Sequence, residues 1–186
     1  MNRILAVAVF GVTAVVVIAF ASGSDDTFKR WYEKVRYPLH YETIIRGHAR
    51  NYDLDPALIA AVIYQESRFR PYVRSESGAI GLMQVMPETA RGIALRTGGR
   101  DFRVADLFDP EINVRYGSWY LRHLIDRYGG DERLALAAYN AGQQRVDAWR
   151  RSGVGIRFEE TREYVRRVQE LEEVYRSAHD FTPTSK

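Results

Sequence analysis

From residue 41 onward the apolar residues recur at helical intervals, and this periodicity excludes most fold classes by itself. Tyr41, Ile44, Ile45, His48 and Tyr52 follow i, i+3, i+4, i+7 and i+11 spacing, an amphipathic stripe. Asp55-Pro56 then opens a second helix, because Asp caps well and Pro at the first helical position needs no amide donor. The same device recurs at Asp109-Pro110. The helix it starts carries Ile112, Tyr116, Trp119, Tyr120 and Leu124 and stops at Gly129-Gly130. Asp131 caps a further helix from Glu132. A long final helix is expected from about Glu159 to Arg176, with Tyr164, Val168, Leu171 and Tyr175 on one face and Glu163–Arg167 as a favourable i, i+4 pair. Between Arg70 and Met86 the stripe breaks at Pro71, Gly78 and Gly81, which predicts loops with at most a short hairpin. Nothing repeats at a fixed period, so solenoids are excluded. The expectation is a mainly α domain with at most a very small β element.

The N-terminus has a different character. Ile4 to Ala21 is an uncharged run of 18 residues. A helix of that length spans about 27 Å, the lower limit for crossing a bilayer. Ala19-Phe20-Ala21 also resembles a signal-peptide cleavage site. A retained anchor is favoured, since the run exceeds the usual apolar core of a signal peptide, but both readings stand. For 186 residues this gives one domain plus a leader. We divide the chain into a signal peptide or signal anchor (1–23), a juxtamembrane linker (24–37), a folded domain (38–178) and a tail (179–186). The segment Phe28 to Tyr37 interleaves aromatic and basic residues and suits either a membrane surface or a plain linker. Counting flanking charges alone would leave the folded domain in the cytoplasm, because Lys29, Arg30, Lys34 and Arg36 follow the run.

Composition removes several chemistries. There is no cysteine, so thiol catalysis, disulfides, iron–sulfur clusters and cysteine-ligated zinc drop out. His40, His48, His123 and His179 lack zinc-site spacing, and no metal or cofactor is expected. The phosphate-loop and serine-hydrolase motifs are absent as well. Asn51, Asp53 and Asp55 mimic the start of a calcium loop, but Pro56 and Val62 occupy the positions that need Gly and Glu. The net charge of +3 comes from basic residues spread along the chain, not from the concentrated stripe of a nucleic-acid binder, so no nucleic acid is expected.

The informative residue is Glu66. Ile59, Val62, Ile63 and Glu66 lie at i, i+3, i+4 and i+7, so the glutamate follows the apolar face toward the core or a cleft. Desolvation there raises a carboxyl pKa and keeps the group protonated near neutrality, as a general acid requires. The competing reading is a buried glutamate paired with an arginine such as Arg68. Ser67 has no histidine near it in sequence and reads as structural support for Glu66.

Four motifs then carry a resemblance. Glu66-Ser67, Ser75-x-x-Gly78-Ala79-x-Gly81-Leu82-Met83-Gln84, Ala138-Tyr139-Asn140-Ala141-Gly142 and Glu160-Thr161-x-x-Tyr164 resemble, in order, the motifs of Slt-type lytic transglycosylases. The resemblance covers about Tyr41 to Ala178. One departure is visible: members often have Pro before the aromatic preceding the Glu-Thr pair, and here that position is Arg157. The resemblance implies a lysozyme-like helical fold and cleavage of peptidoglycan glycan strands. It implies Glu66 as the catalytic residue, with Ser75, Met83, Gln84, Tyr139, Asn140 and Tyr164 lining the groove and Glu160 helping to hold it. Gly78 and Gly81 would let backbone approach a sugar and adopt positive φ. Met83 would give a soft apolar contact and Gln84 both a donor and an acceptor.

Glycosidases ordinarily need two carboxylates, and only Glu66 stands in a motif. The resemblance implies an answer. The substrate's N-acetyl group supplies the second function, and Glu66 acts first as acid and then as base to give 1,6-anhydromuramyl ends. Peptidoglycan lies outside the cytoplasmic membrane, so this chemistry outweighs the charge count and places the domain outside, tethered to the bacterial membrane or exported. A goose-type lysozyme and a non-catalytic glycan-binding envelope module are the rival expectations.

Overall fold

The aspartates that mark helix starts in the sequence do so in the fold. A computed structural model describes residues 25–181, so the run from Ile4 to Ala21 and residues 182–186 of the tail lie outside the described residues. Eight α-helices are present among them: α1 Asp25–Arg36, α2 Glu42–Tyr52, α3 Pro56–Ser67, α4 Pro87–Thr97, α5 Pro110–Arg127, α6 Glu132–Ala141, α7 Gln143–Ser152 and α8 Glu159–Ala178. A 3-10 turn, Val104–Phe108, precedes α5. The Asp55, Asp109 and Asp131 side chains accept the amides of Ala57, Ile112 and Leu134 at 2.7, 3.0 and 3.0 Å, which satisfies donors that a helix start leaves free.

The centre of the domain is α3. Every residue from Ala57 to Ile63 is buried, so this helix is apolar all round rather than along one stripe. Its largest interface is with α8, whose Tyr164, Val168, Leu171 and Tyr175 face inward at the expected steps. α6 packs on both α5 and α8, and α2 packs on α5. The wrapping explains why α3 tolerates no polar face: neighbours cover all sides, and each apolar side chain removed from water favours the folded state.

Three segments differ from the expectations. The stretch read as a linker is helical over Asp25–Arg36, and it is fastened to the domain. Ser177 of α8 donates to Glu33 at 3.1 Å, and Arg36 donates to the Tyr64 hydroxyl of α3 at 3.0 Å. α4 follows the loop at once, started by Pro87. Its inward residues are Ala90, Ile93 and Ala94, too small a stripe to stand out in the sequence. Gly142, with φ 88° and ψ 139°, separates α6 from α7. The expected loop-and-hairpin region contains two isolated antiparallel bridges, Arg74 with Ile80 and Ile80 with Val85, and no strand is formed among the described residues.

Candidate active site

Glu66 occupies the last turn of α3, one residue before its end. Arg68 and Phe69 both adopt left-handed backbone, at φ 52° and 59°, which ends the helix and turns the chain away. The carboxyl is thus carried by a rigid helix yet lies where the chain opens into the 70–86 loop. Tyr164 of α8 donates its hydroxyl to Glu66 Oε1 at 2.6 Å. No arginine or lysine bonds the carboxyl among the described residues, so the buried ion pair that the sequence left open is not formed. Burial pushes the Glu66 carboxyl up to about 7, and the Tyr164 hydroxyl, by favouring the charged form, holds back part of that rise. Burial and the negative charge of Glu66 in turn raise the phenols of both Tyr139 and Tyr164, which keeps them protonated donors.

The loop beside Glu66 is held by side chains that reach its backbone. Ser67 Oγ donates to the carbonyls of Ile63 and Leu82 at 3.1 and 2.8 Å, tying the end of α3 to the loop. Asn113 of α5 is buried and fully used: Oδ1 accepts the Met83 amide at 2.8 Å, while Nδ2 donates to Ile80 and Leu107 carbonyls at 2.8 and 2.7 Å. Asn113 was not singled out in the sequence, where a polar residue on α5 reads as solvent-facing. Gly81, at φ +81°, must be glycine for a second reason: a Cβ would sit 2.2 Å from Asn113 Nδ2. Gly117 of α5 likewise leaves room for Met83, whose Sδ and Cβ would lie 2.4 and 2.7 Å from an added Cβ.

A cleft of about 330 Å3 opens next to this framework, lined by Gln84, Met86, Tyr120, Tyr139, Asn140 and Arg145 among others. Tyr139 connects it to the carboxyl: it lines the cleft, and Glu66, which does not, is its charged neighbour. The Tyr139 hydroxyl donates to the Met83 carbonyl at 2.8 Å. Asn140 is exposed, and its Oδ1 accepts from the buried Thr161 hydroxyl at 2.9 Å, which joins the α6 and α8 motifs directly. Gln84 lies at φ 48°, with Nε2 donating to Gly81 and Val73 carbonyls at 2.9 and 3.3 Å.

Several site expectations need correction. Met83 has no exposed surface and packs into the core against α5, so its side chain cannot line a groove. Met86, not singled out in the sequence, is 38% exposed and lines the cleft in its place. Gly81 makes its close approach to Asn113, not to open space, whereas Gly78, at φ +92°, does face open space. Ser75 Oγ accepts the Ala79 amide at 2.9 Å and pairs with Ser77 Oγ, so it shapes the loop, and Ser77 reaches the cleft. Glu160 is exposed and its side chain forms no hydrogen bond or ion pair among the described residues; the neighbouring Thr161 makes the contact to Asn140.

This architecture has close counterparts. Residues 43–157 match the family described as the transglycosylase SLT domain. The soluble lytic murein transglycosylase of Salmonella typhimurium is 36% identical over 152 residues, covering 76% of this chain and 24% of that protein. An inactive mutant of the Slt lytic transglycosylase from Pseudomonas aeruginosa superposes with a TM-score of 0.71 at 34% identity, covering 76% of this chain and 25% of that one. The 70-kDa soluble lytic transglycosylase of Escherichia coli gives a TM-score of 0.71 at 33% identity, over 77% of this chain and 25% of that one. The chain therefore spans about a quarter of the length of these relatives. More than half of its residues match one family profile, and the fold agrees with solved members, so the chain belongs to the transglycosylase SLT domain family.

Proposed function

We propose that this protein is a peptidoglycan lytic transglycosylase that cuts the β-1,4 bond between N-acetylmuramic acid and N-acetylglucosamine without water. The observation that carries the reading is Glu66: a desolvated carboxyl, raised to about 7, hydrogen-bonded by a neutral phenol and by no cation among the described residues. Such a group is both an acid and a base near neutral pH. Oε1 is occupied by Tyr164, which leaves the acid proton on Oε2, free to meet the glycosidic oxygen. Glu66 gives that proton as the C1–O bond breaks, and the N-acetyl carbonyl oxygen bonds C1 to carry the developing charge. The resulting Glu66 carboxylate takes the proton of the C6 hydroxyl. O6 then attacks C1, the bond to the acetyl oxygen breaks, and a 1,6-anhydro ring closes with Glu66 again protonated. Atoms balance with no water consumed, and one carboxylate suffices because the substrate supplies the second group.

The cleft fits a glycan in kind. Tyr120, Tyr139 and Met86 offer apolar and aromatic surface, and Asn140 and Gln84 offer amides suited to sugar hydroxyls and acetamides. Location follows from substrate: the domain works outside the cytoplasmic membrane, held there by the segment around Ile4 to Ala21 or released from it.

Mass spectrometry of digested peptidoglycan in ¹⁸O-water tests the reading. Unlabelled 1,6-anhydromuramyl ends are expected. Reducing ends carrying the label would make the protein a hydrolase, and binding without product would make it a glycan-binding module.

A further inference from the structure

The helix α1 is amphipathic in the reverse sense to α8. At about 100° per residue, Phe28, Trp31, Tyr32 and Val35 share one face of α1. Their side chains are 41%, 59%, 54% and 63% exposed. The polar side meets the domain instead. Glu33 is half-buried while the other residues from 26 to 36 are exposed, and its carboxylate accepts the Ser177 hydroxyl of α8 at 3.1 Å. Arg36 donates to the Tyr64 hydroxyl at 3.0 Å, and Arg30 and Lys34 line a hollow against the end of α8. By contrast, α8 turns Tyr164, Val168, Leu171 and Tyr175 inward. An aromatic stripe aimed away from the core gives the domain no burial energy, and a contiguous exposed stripe of this kind marks a contact surface.

The charges around the stripe say what it contacts. Lys29 and Lys34 border it, one on either side, and their stems can lie along apolar surface while the ammonium groups reach outward. The acids Asp26 and Glu33 fall on the far side of the helix. Trp and Tyr on one face with lysines at its edges suit the headgroup level of an anionic bilayer. With 12 residues, α1 is about 18 Å long and too short to cross a membrane, so it fits the surface and not the interior. Only Ser22, Gly23 and Ser24 separate it from the uncharged run Ile4 to Ala21. Three residues reach at most about 11 Å. With that run in a bilayer, α1 begins within this distance of its surface.

We propose that α1 lies in the plane of an anionic lipid bilayer, with Phe28, Trp31, Tyr32 and Val35 immersed among the headgroups. The bonds of Glu33 to Ser177 and of Arg36 to Tyr64 then hold the domain at a fixed attitude over the membrane, with α8 resting on the helix. The segment is a docking surface rather than a slack tether.

The test uses the full-length chain reconstituted into vesicles of phosphatidylglycerol and phosphatidylcholine. The chain has no cysteine, so Val35→Cys and Arg30→Cys each carry a single nitroxide label. Both positions are exposed, and far-UV circular dichroism should match that of the unsubstituted protein. Power-saturation EPR compares collisions with oxygen, which enters the acyl chains, and with a water-soluble nickel chelate. The label at 35 should sit about 5–10 Å into the boundary between headgroups and acyl chains. The label at 30 should remain open to nickel. Equal nickel access at the two positions places α1 in water and overturns the proposal. A label at 35 shielded from both reagents shows a protein cover, whether a second copy or the preceding segment, and overturns it too. In phosphatidylcholine alone, or with Lys29→Glu added, the label at 35 should move toward water. A depth unmoved by both changes overturns the anionic surface.

Discussion

Tyr164 reaches Glu66 from a helix 98 residues further along the chain and donates its hydroxyl to Oε1 at 2.6 Å. The bond joins α3 to α8 at the one place where the central helix carries a charge-bearing group into the interior. It also divides the labour of the carboxyl, since the oxygen it occupies cannot face the substrate in the same way as the other.

Glu66→Gln should lower turnover at least about 100-fold, because shape survives while proton transfer is lost. Glycan binding should persist, since Tyr139, Asn140 and Met86 still line the cleft. Product release assays and a binding measurement on the same strands check both halves. Full activity in this variant would remove Glu66 from the mechanism.

Tyr164→Phe should move the pH dependence. The hydroxyl stabilises the charged form of Glu66, so losing it raises the carboxyl pKa further above about 7. Activity that requires the protonated acid falls as pH rises through that pKa, so the alkaline limb should shift upward by about one unit. A pH profile of kcat/KM reads this directly, and a downward shift would contradict the role given to Tyr164.

Stability should report the same carboxyl with the opposite sign of benefit. Its pKa is about 7 in the folded chain, against 4.5 ordinarily. Below about pH 4 the group is protonated in both folded and unfolded states. As pH rises from there through 7, the unfolded chain ionises first, and stability is lost. The penalty reaches the order of 3 kcal/mol above pH 7. Glu66→Gln should therefore unfold near the wild-type temperature at pH 4 and about 6–12 °C above it at pH 8. Calorimetry at the two pH values is sufficient, and parallel curves would show that the carboxyl is not desolvated.

Asn113→Ala leaves the Met83 amide and the Ile80 and Leu107 carbonyls without their buried partner. The expected loss is about 2–4 kcal/mol. Activity should fall as well, because Met83 carries the carbonyl that receives the Tyr139 hydroxyl. Urea unfolding separates this from a purely local effect, and a stability change below about 0.5 kcal/mol, the scale of an ordinary surface substitution, would show that the clamp is dispensable.

What could be read in advance depended on how local the signal was. Asp55, Asp109 and Asp131 marked their helices because capping involves only the next three residues. The long stripe of α8 was legible for the same reason. The stripe on α3 predicts an inward Glu66, yet α3 is buried all round; what aims the carboxyl is the left-handed exit at Arg68 and Phe69 and the distant Tyr164. Met83 and Met86 could not be told apart in sequence. Gln84 adopts left-handed backbone between them, and that turn sends one methionine into the core and leaves the other at the surface. Asn113 was hidden because its three partners lie up to 33 residues away.

The fit of Met83 against Gly117 has an evolutionary reading. A methyl group at 117 would meet Met83 at Sδ and at Cβ, so rotating the thioether alone cannot make room. The loop itself would have to lift, and with it the carbonyl on which Tyr139 rests. Positions 83 and 117 are therefore a single unit of variation: a lineage that enlarges 117 must trim 83, or accept a retuned cleft through a residue buried in the core.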